Sequence, residues 1–230
     1  MTALPPDYDT DPERFLSNAK WGHDDVHPYV AERIAQAGAN RVLDVGDGHG
    51  ALTRLLPDLG MKGILLDISP TMVALGPRPA VRADGRRLPV SDSSFDAVAA
   101  LYTLYHYEDP LVPISECRRV LRTGGLFVAC SPNRNSTPEL SAVLPLSGES
   151  GTFDGEDSPA IVADVFNGPH DQVEEVRWVG PMHTLTDSAY ATAFLRTMGM
   201  SEGGASAAAN QLELPMTLTM RGCFVYAIKG

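Results

Sequence analysis

Short apolar runs alternate with polar or amphipathic segments between residues 41 and 130. Apolar runs that are bounded by Gly, Pro or Asp are typical of strands buried on both faces of a sheet. Because helical segments separate these runs, the alternation predicts an α/β fold with a doubly wound, mostly parallel sheet and helices on both faces. The predicted strands are Val42–Val45, Gly63–Asp67, Ala80–Ala83, Phe95–Leu101 and Leu126–Cys130.

The pattern changes on either side of this core. Two later apolar stretches, Val173–Met182 and Leu218–Ile228, predict strands that pair as an antiparallel edge. The segment between them, Gly203–Ala209, is typical of a flexible loop. Before the first strand, helices are predicted at Pro12–Lys20 and His27–Ala37. These two helices either fold over the carboxyl edge of the sheet as a lid or dock on one of its faces.

Three glycines follow the first strand at alternate positions. Gly46, Gly48 and Gly50 lie in RVLDVGDGHGALTRL, and Ala51–Leu59 is predicted to be a helix. Glycine permits a positive φ and lets a ligand approach the backbone, while a helix start presents free N–H groups. The stretch therefore predicts a nucleotide-like ligand at the carboxyl end of the first strand. With an acid at Asp67, the glycine spacing also suits a dinucleotide.

Carboxylates end three of the predicted strands. Asp44, Asp67 and Asp84 each lie at or just beyond a carboxyl end. The carboxyl ends of parallel strands line the ligand crevice of an open sheet, so these side chains should lie close together. Three carboxylates there suit a ligand that carries several hydrogen-bond donors and a positive charge.

Composition limits the cellular setting and the partners. The 230 residues suffice for one α/β core but not for two ordinary domains. The net charge of −11 argues against nucleic acid or an anionic membrane as a partner. Cys117, Cys130 and Cys223 lack metal-ligand spacing, and we expect buried, reduced thiols and no metal site. With no secretion signal and no run that could span a bilayer, we expect a cytoplasmic protein.

Five motifs between Arg41 and Cys130 resemble, in order, those of the class I, Rossmann-like methyltransferases that use S-adenosyl-L-methionine (SAM) and act on small molecules. VLDVGDGHG resembles the glycine motif, and LLDIS resembles the motif with the ribose-binding acid. RADGRRLPVSDSSFDAVAA and LYHYEDP resemble the segments around strand four, and RVLRTGGLFVAC resembles the lead into strand five. The resemblance implies this fold, SAM as the cofactor and S-adenosyl-L-homocysteine (SAH) as the product.

The resemblance also implies roles for individual residues. Asp67 would accept both ribose hydroxyls, Asp84 would accept the adenine amino group, and Asp44 would help to hold the ammonium of the methionine part. One departure from the family pattern is Asp47, at a position where a small residue or Cys is common. The remaining residues implied in cofactor binding are Gly46, Gly48, Gly50, Ile68, Gly85 and Leu101.

The loop after strand four carries the candidates for acid–base chemistry. His106 is the candidate general base for an acceptor that must lose a proton, and its alternative role is to brace the loop. Tyr102, Tyr105 and Tyr107 crowd the same loop, where they either line an aromatic pocket or fill the core.

The expected function is transfer of a methyl group from SAM to an O, N or C atom of a small, partly apolar molecule. We expect one domain over residues 1–230, with lid helices in 1–40, the SAM-binding core in 41–130 and substrate-side structure in 131–230. The chain should act as a monomer or homodimer. Two other interpretations stay open at this point: a SAM-binding protein without methyl transfer, and a nicotinamide-dependent oxidoreductase.

Overall fold

The computed structural model describes residues 26–46, 48–144, 152–198 and 200–230. Its helices are α1 (Val26–Gln36), α2 (Pro70–Leu75), α3 (Leu111–Val120), α4 (Ser158–Val165), α5 (Ser188–Thr197) and α6 (Glu202–Ala209). Its strands are β1 (Arg41–Val45), β2 (Lys62–Asp67), β3 (Ala80–Arg82), β4 (Phe95–Leu101), β5 (Leu121–Pro132), β6 (Gln172–Leu185) and β7 (Met216–Ile228). Single 3₁₀ turns occur at Pro57–Leu59, Leu104–His106 and Pro138–Leu140.

Within these residues the seven strands form one sheet in the order β3-β2-β1-β4-β5-β7-β6. The first five strands are parallel to their neighbours, whereas β7 runs antiparallel to both β5 and β6. The prediction of a doubly wound, mostly parallel sheet with an antiparallel edge is therefore confirmed.

The two faces of the sheet are covered by separate apolar clusters. On one face, Ile114 and Cys117 of α3 and Val162 of α4 pack against strand residues such as Phe127. On the other face, α1 packs against β1, β4 and β7. Val30, Ala31 and Ile34 of α1 are fully buried there, so α1 is a docking helix and not a lid. The other predicted lid helix, Pro12–Lys20, lies outside the described residues.

A third apolar cluster lies beyond the carboxyl end of β5. Pro132 at the end of β5 pairs with Gly222, but β7 and β6 continue to pair outward as far as Met216 and Leu185. Helices α5 and α6 close over this extension, and we call the result the cap. Its buried side chains are Leu140, Leu185, Ala191, Phe194, Leu195, Ala205, Ala208, Ala209 and Leu218.

Two sequence predictions are wrong in ways that affect the site and the cap. Ala51–Leu59 is not a helix: turns run from Gly48 to Leu56 and lead into the 3₁₀ turn at Pro57–Leu59. Gly203–Ala209 is not a loop, because Glu202–Ala209 forms α6. The Ser201 side chain accepts the N–H of Gly204 and so caps α6.

Candidate functional site

The sheet order reverses between β1 and β4, at the centre of the sheet. Ligands of open α/β sheets bind outside the carboxyl ends of the strands at such a switch point. The glycine turn leaves β1 at this place, and the carboxyl ends of β2 and β4 lie on either side of it. The structure thus brings the predicted glycines and acids to one edge.

Gly46 begins the turn and is packed tightly against the end of β4. Its φ is +74°, and a Cβ at this position would lie 2.2 Å from Oγ1 of Thr103. The Gly46 N–H donates to the carbonyl of Leu66, with an N···O distance of 2.7 Å. The start of the turn is therefore packed between β2 and Thr103, and only glycine fits at position 46. We call this packed start of the turn the cradle.

The Asp67 carboxylate is tied to the same turn. The N–H of Gly48 donates to Oδ2 of Asp67 at 3.0 Å, and the N–H of Ser69 donates to Oδ1 at 2.8 Å. Two backbone bonds thus fix the orientation of the carboxylate at the carboxyl end of β2. A carboxylate has about four acceptor positions, and each of these two bonds occupies one position on its oxygen.

Asp44 lies beneath the turn and not in the open crevice. Asp44 is fully buried, and its Oδ2 accepts a hydrogen bond from the hydroxyl of Thr53 at 3.3 Å. The structure thus places the carboxyl group of Asp44 inside the protein, under the glycine turn.

Asp84 is engaged by Arg86, its neighbour two residues on. The guanidinium approaches both carboxylate oxygens, with Nη2 2.6 Å from Oδ2, and the Arg86 N–H also donates to Oδ1. These contacts lower the pKa of Asp84, so it is ionised at neutral pH. Both side chains are partly exposed, so the pair can rearrange at little cost when a ligand enters.

The remaining predicted cofactor residues lie along the same edge. Ile68, directly after β2, is 36% exposed and offers an apolar surface to a planar ring. Leu101 is the buried last residue of β4, and Gly50, with φ +93°, packs against Pro77. Asp47 lies outside the described residues.

Tyr102 takes an uncommon backbone conformation where β4 ends. Its φ is +53°, which is rare for an aromatic residue and marks a position that the surrounding structure constrains. Strand alternation would direct Tyr102 away from Leu101, yet both side chains join the cluster on the α1 face. Its ring centroid lies 6.4 Å from that of His27 on α1. The turn after β4 therefore directs Tyr102 toward α1 and leaves the next residue, Thr103, facing Gly46.

His106 closes the 3₁₀ turn Leu104–His106. Its ring centroid lies 4.5 Å from that of Tyr105, and burial lowers its pKa to about 4. The imidazole is consequently neutral at neutral pH, which is the state that a proton acceptor requires.

Sequence reasoning missed Thr103 as a member of the site. Thr103 lies two residues beyond a predicted central strand, and this position was the only indication in the sequence that it belongs to the site. Its contact with Gly46 could not be predicted, because that contact depends on the pairing of β1 with β4. The crevice combines a glycine cradle, an oriented carboxylate and an apolar patch, and these features fit the parts of an adenosyl amino acid. A family model described as a methyltransferase domain matches residues 43–129, which span β1 to β5.

The segment from β1 to β5 therefore matches a methyltransferase domain. The match to a methyltransferase domain gives no support to the nicotinamide interpretation.

Known proteins agree with this assignment at the level of sequence and of fold. A ubiquinone biosynthesis O-methyltransferase of Xanthomonas campestris is 36% identical over 131 residues, covering 53% of this chain and 54% of the relative. The YcgJ protein of Bacillus subtilis superposes with a TM-score of 0.67 at 16% identity, over 90% of this chain and 99% of that one. The chain thus spans about half the length of this curated relative.

A further solved structure carries the cofactor product. A phosphoethanolamine N-methyltransferase of Haemonchus contortus, solved with SAH, superposes with a TM-score of 0.62 at 15% identity, over 100% of this chain and 60% of that one. In the part of the chain described here, no helix has the length and apolarity to cross a membrane. Nor do the described residues bring three or more His, Cys, Asp or Glu side chains together as a metal site.

Proposed function

We propose that the chain transfers the methyl group of SAM to an oxygen atom of a small, partly apolar molecule. The observation that carries this proposal is the cradle of Gly46 and Thr103 beside an Asp67 carboxylate that the Gly48 N–H holds in place. The printed name of the Xanthomonas relative supports oxygen as the acceptor atom. The second half of the chain, with its apolar cap, supports a partly apolar acceptor.

The carboxyl edge would divide the cofactor among three groups of residues. Asp67 would accept the ribose hydroxyls, because two backbone hydrogen bonds fix its carboxylate at the carboxyl end of β2. Asp84 would accept the adenine amino group, and Ile68 would pack on the adenine ring. The methionine part would lie over the glycine turn, with Asp44 buried beneath it. The remaining residues of the cofactor site would be Gly46, Asp47, Gly48, Gly50, Gly85 and Leu101.

When bound, SAM supplies an electrophilic methyl group on a positively charged sulfur, so the protein need only align the acceptor and exclude water. His106 would accept the proton of a hydroxyl acceptor, since its imidazole is neutral at neutral pH. A base of such low pKa serves best for an acceptor that is itself acidic, such as a phenol.

The cap would supply the acceptor side of the cleft. β6 and β7 extend past the carboxyl end of β5, and α5 and α6 pack on this extension. These helices therefore lie at the same end of the strands as the glycine turn. Residues 131–230 would thus carry acceptor specificity, within a single domain over 1–230.

The setting proposed for this activity is the cytoplasm, with a freely diffusing acceptor and no nucleic acid. The net charge of −11 and the buried, free state of Cys117, Cys130 and Cys223 support it. The protein would work as a monomer or homodimer.

Calorimetric titration with SAH, followed by mass spectrometry of acceptor panels, tests the proposal. We expect one SAH site per chain, and a methyl-sized mass increase on phenols when SAM is supplied. Amines of similar size serve as the matched panel and should stay unmodified. Failure of the folded protein to bind SAH or SAM would refute the cofactor site, and SAM binding without any methylated product would favour a non-transferring SAM-binding protein.

A further inference from the structure

The phenol of Tyr107 lies directly against the backbone of Gly85. A Cβ on Gly85 would lie 2.4 Å from the Tyr107 hydroxyl oxygen and 3.2 Å from its Cζ. Gly85 takes no positive φ, so glycine is required here for space and not for backbone conformation. The Asp84-Gly85 pair at the end of β3 thus makes room for a hydroxyl that arrives from the loop after β4.

Tyr107 is held in this position from both sides. Its N–H donates to the carbonyl of Leu104 at 3.2 Å, which closes the 3₁₀ turn, and its own carbonyl accepts a bond from the hydroxyl of Thr152. The ring packs against the cluster on the α3 face, and Val45 of β1 also borders Gly85. The hydroxyl is therefore positioned before any ligand arrives.

Two carboxylates, Asp84 and Asp67, act electrostatically on the Tyr107 hydroxyl. Burial, followed by Cys117, Asp84 and Asp67, raises the pKa of Tyr107, so the phenol keeps its proton at neutral pH. Asp67 and Asp84 can only accept hydrogen bonds when they are ionised, whereas a neutral phenol can donate one. Tyr107 thus places a hydrogen-bond donor beside Gly85, next in the chain to the acceptor-only Asp84.

Adenosyl ligands need such a donor. Their adenine amino group donates hydrogen bonds, but the adenine ring nitrogens and the ribose oxygens also accept them. The Arg86 guanidinium donates to both oxygens of Asp84, whereas the Tyr107 hydroxyl lies beside Gly85. We propose that the Tyr107 hydroxyl is a further cofactor-binding group, which donates a hydrogen bond to the adenosyl part of SAM beside Gly85. This inference rests on the proposed cofactor site.

Titrations with two adenosyl ligands test the assignment. The variant Tyr107→Phe removes only the hydroxyl, and we expect it to bind SAH about tenfold more weakly, the loss typical of one hydrogen bond. The matched control Tyr105→Phe removes a hydroxyl from the same loop and should stay within about twofold of wild type, a change below that of one hydrogen bond. 5′-Methylthioadenosine, which lacks the amino acid part, should lose affinity for Tyr107→Phe by the same factor as SAH.

Each outcome is informative. Equal SAH affinity of Tyr107→Phe and wild type would overturn the inference while leaving the cofactor site intact. A loss for SAH but not for 5′-methylthioadenosine would place Tyr107 at the methionine end and also overturn it. A lower unfolding temperature of ligand-free Tyr107→Phe, with affinity restored on cooling, would show a purely structural role. Failure of wild type to bind either ligand would instead refute the proposed function.

Discussion

The Cα of Gly46 packs against the hydroxyl of Thr103, so closely that an added Cβ would lie 2.2 Å from Oγ1 and 2.7 Å from the Thr103 Cβ. Gly46 leaves β1 and Thr103 follows β4, two strands far apart in sequence but paired in the sheet. The contact therefore joins the glycine turn to the loop that carries His106, and it makes the shape of the cofactor cradle depend on the β1–β4 pairing.

A methyl group at Gly46 should consequently abolish most cofactor binding. Gly46→Ala adds a strained positive φ and an overlap with a short, branched side chain that has no room to move. Overpacking costs about 1–3 kcal/mol, so SAH affinity should fall by up to about 100-fold. Calorimetric titration of the variant measures the loss.

Gly60→Ala is the matched control for this change. Gly60 has a nearly identical φ of +76°, but nothing lies within 4 Å of its added Cβ. Both variants carry the cost of a left-handed alanine, about 1–2 kcal/mol in stability, and only Gly46→Ala carries the overlap. Equal loss of SAH affinity in the two variants would show that backbone strain alone, and not the Thr103 contact, controls the cradle.

The positions of the site acids could be predicted because strand ends are local features. Asp67 and Asp84 each follow an apolar run, and in a parallel sheet such ends meet at one edge whatever the loops do. Thr103 and Tyr107 could not be assigned in the same way. Their neighbours Gly46 and Gly85 come from other strands, and loop geometry decides which side chains face them.

Local propensity also misled at two segments. Leu52, Leu55 and Leu56 have helical spacing, yet three glycines with positive φ precede them and Thr53 turns inward to reach Asp44. Glycines at 203 and 204 suggested a loop, but the small side chains of α6 pack on α5 and supply the stability that propensity lacks. In both cases a tertiary contact decided the backbone.

The carboxylate of Asp67 provides a second prediction. Asp67→Asn keeps the shape of the side chain but replaces one acceptor oxygen with an amide that faces the N–H of Gly48 or Ser69. One backbone donor then loses its partner and a ribose acceptor is lost, so SAH affinity should fall by about 10- to 100-fold, the range for one or two hydrogen bonds to a charged group. The exposed Asp58→Asn is the control, and an unchanged dissociation constant for Asp67→Asn would exclude Asp67 as the ribose acceptor.

The buried imidazole of His106 predicts a dependence of stability on pH. Burial lowers its folded pKa to about 4, below the ordinary value of about 6.5 in an unfolded chain. Because the unfolded state binds the proton first, the stabilisation is complete above about pH 6.5 and is lost as the pH falls from about 6.5 to 4. His106→Gln should therefore reduce the change in unfolding free energy over this pH range by up to about 3 kcal/mol. The reduction is smaller to the extent that solvent still reaches the imidazole.

Urea unfolding between pH 4 and 7 measures this difference. The control is His170→Gln at an exposed position, which should retain the wild-type slope. The same slope in His106→Gln and wild type would mean that His106 is accessible to water in the folded protein. In turnover, the neutral His106 should give a rate that does not change between pH 6 and 8 for an acidic acceptor.

Because the cap is a separate apolar cluster, we expect substitutions in it to change the use of the acceptor but not the affinity for the cofactor. Phe194 is 1% exposed and belongs to the apolar cluster of the cap. This cluster shares no buried residue with the two clusters that cover the faces of the sheet. Phe194→Ala should destabilise this cluster by about 3–5 kcal/mol, while Phe194→Leu fills most of the space and should cost far less. Hydrogen exchange should then rise in α5 and α6 but not in the strands around Gly46.

If the cap supplies only the acceptor side, SAH affinity of Phe194→Ala should stay within about threefold of wild type, less than 1 kcal/mol. The kcat/KM for the acceptor should fall at least tenfold, because a loosened cap no longer orients it. A parallel loss of SAH affinity would show that the cap and the glycine cradle form one cooperative unit. It would also remove the basis for assigning acceptor specificity to residues 131–230, since the variant would then act through the cofactor site.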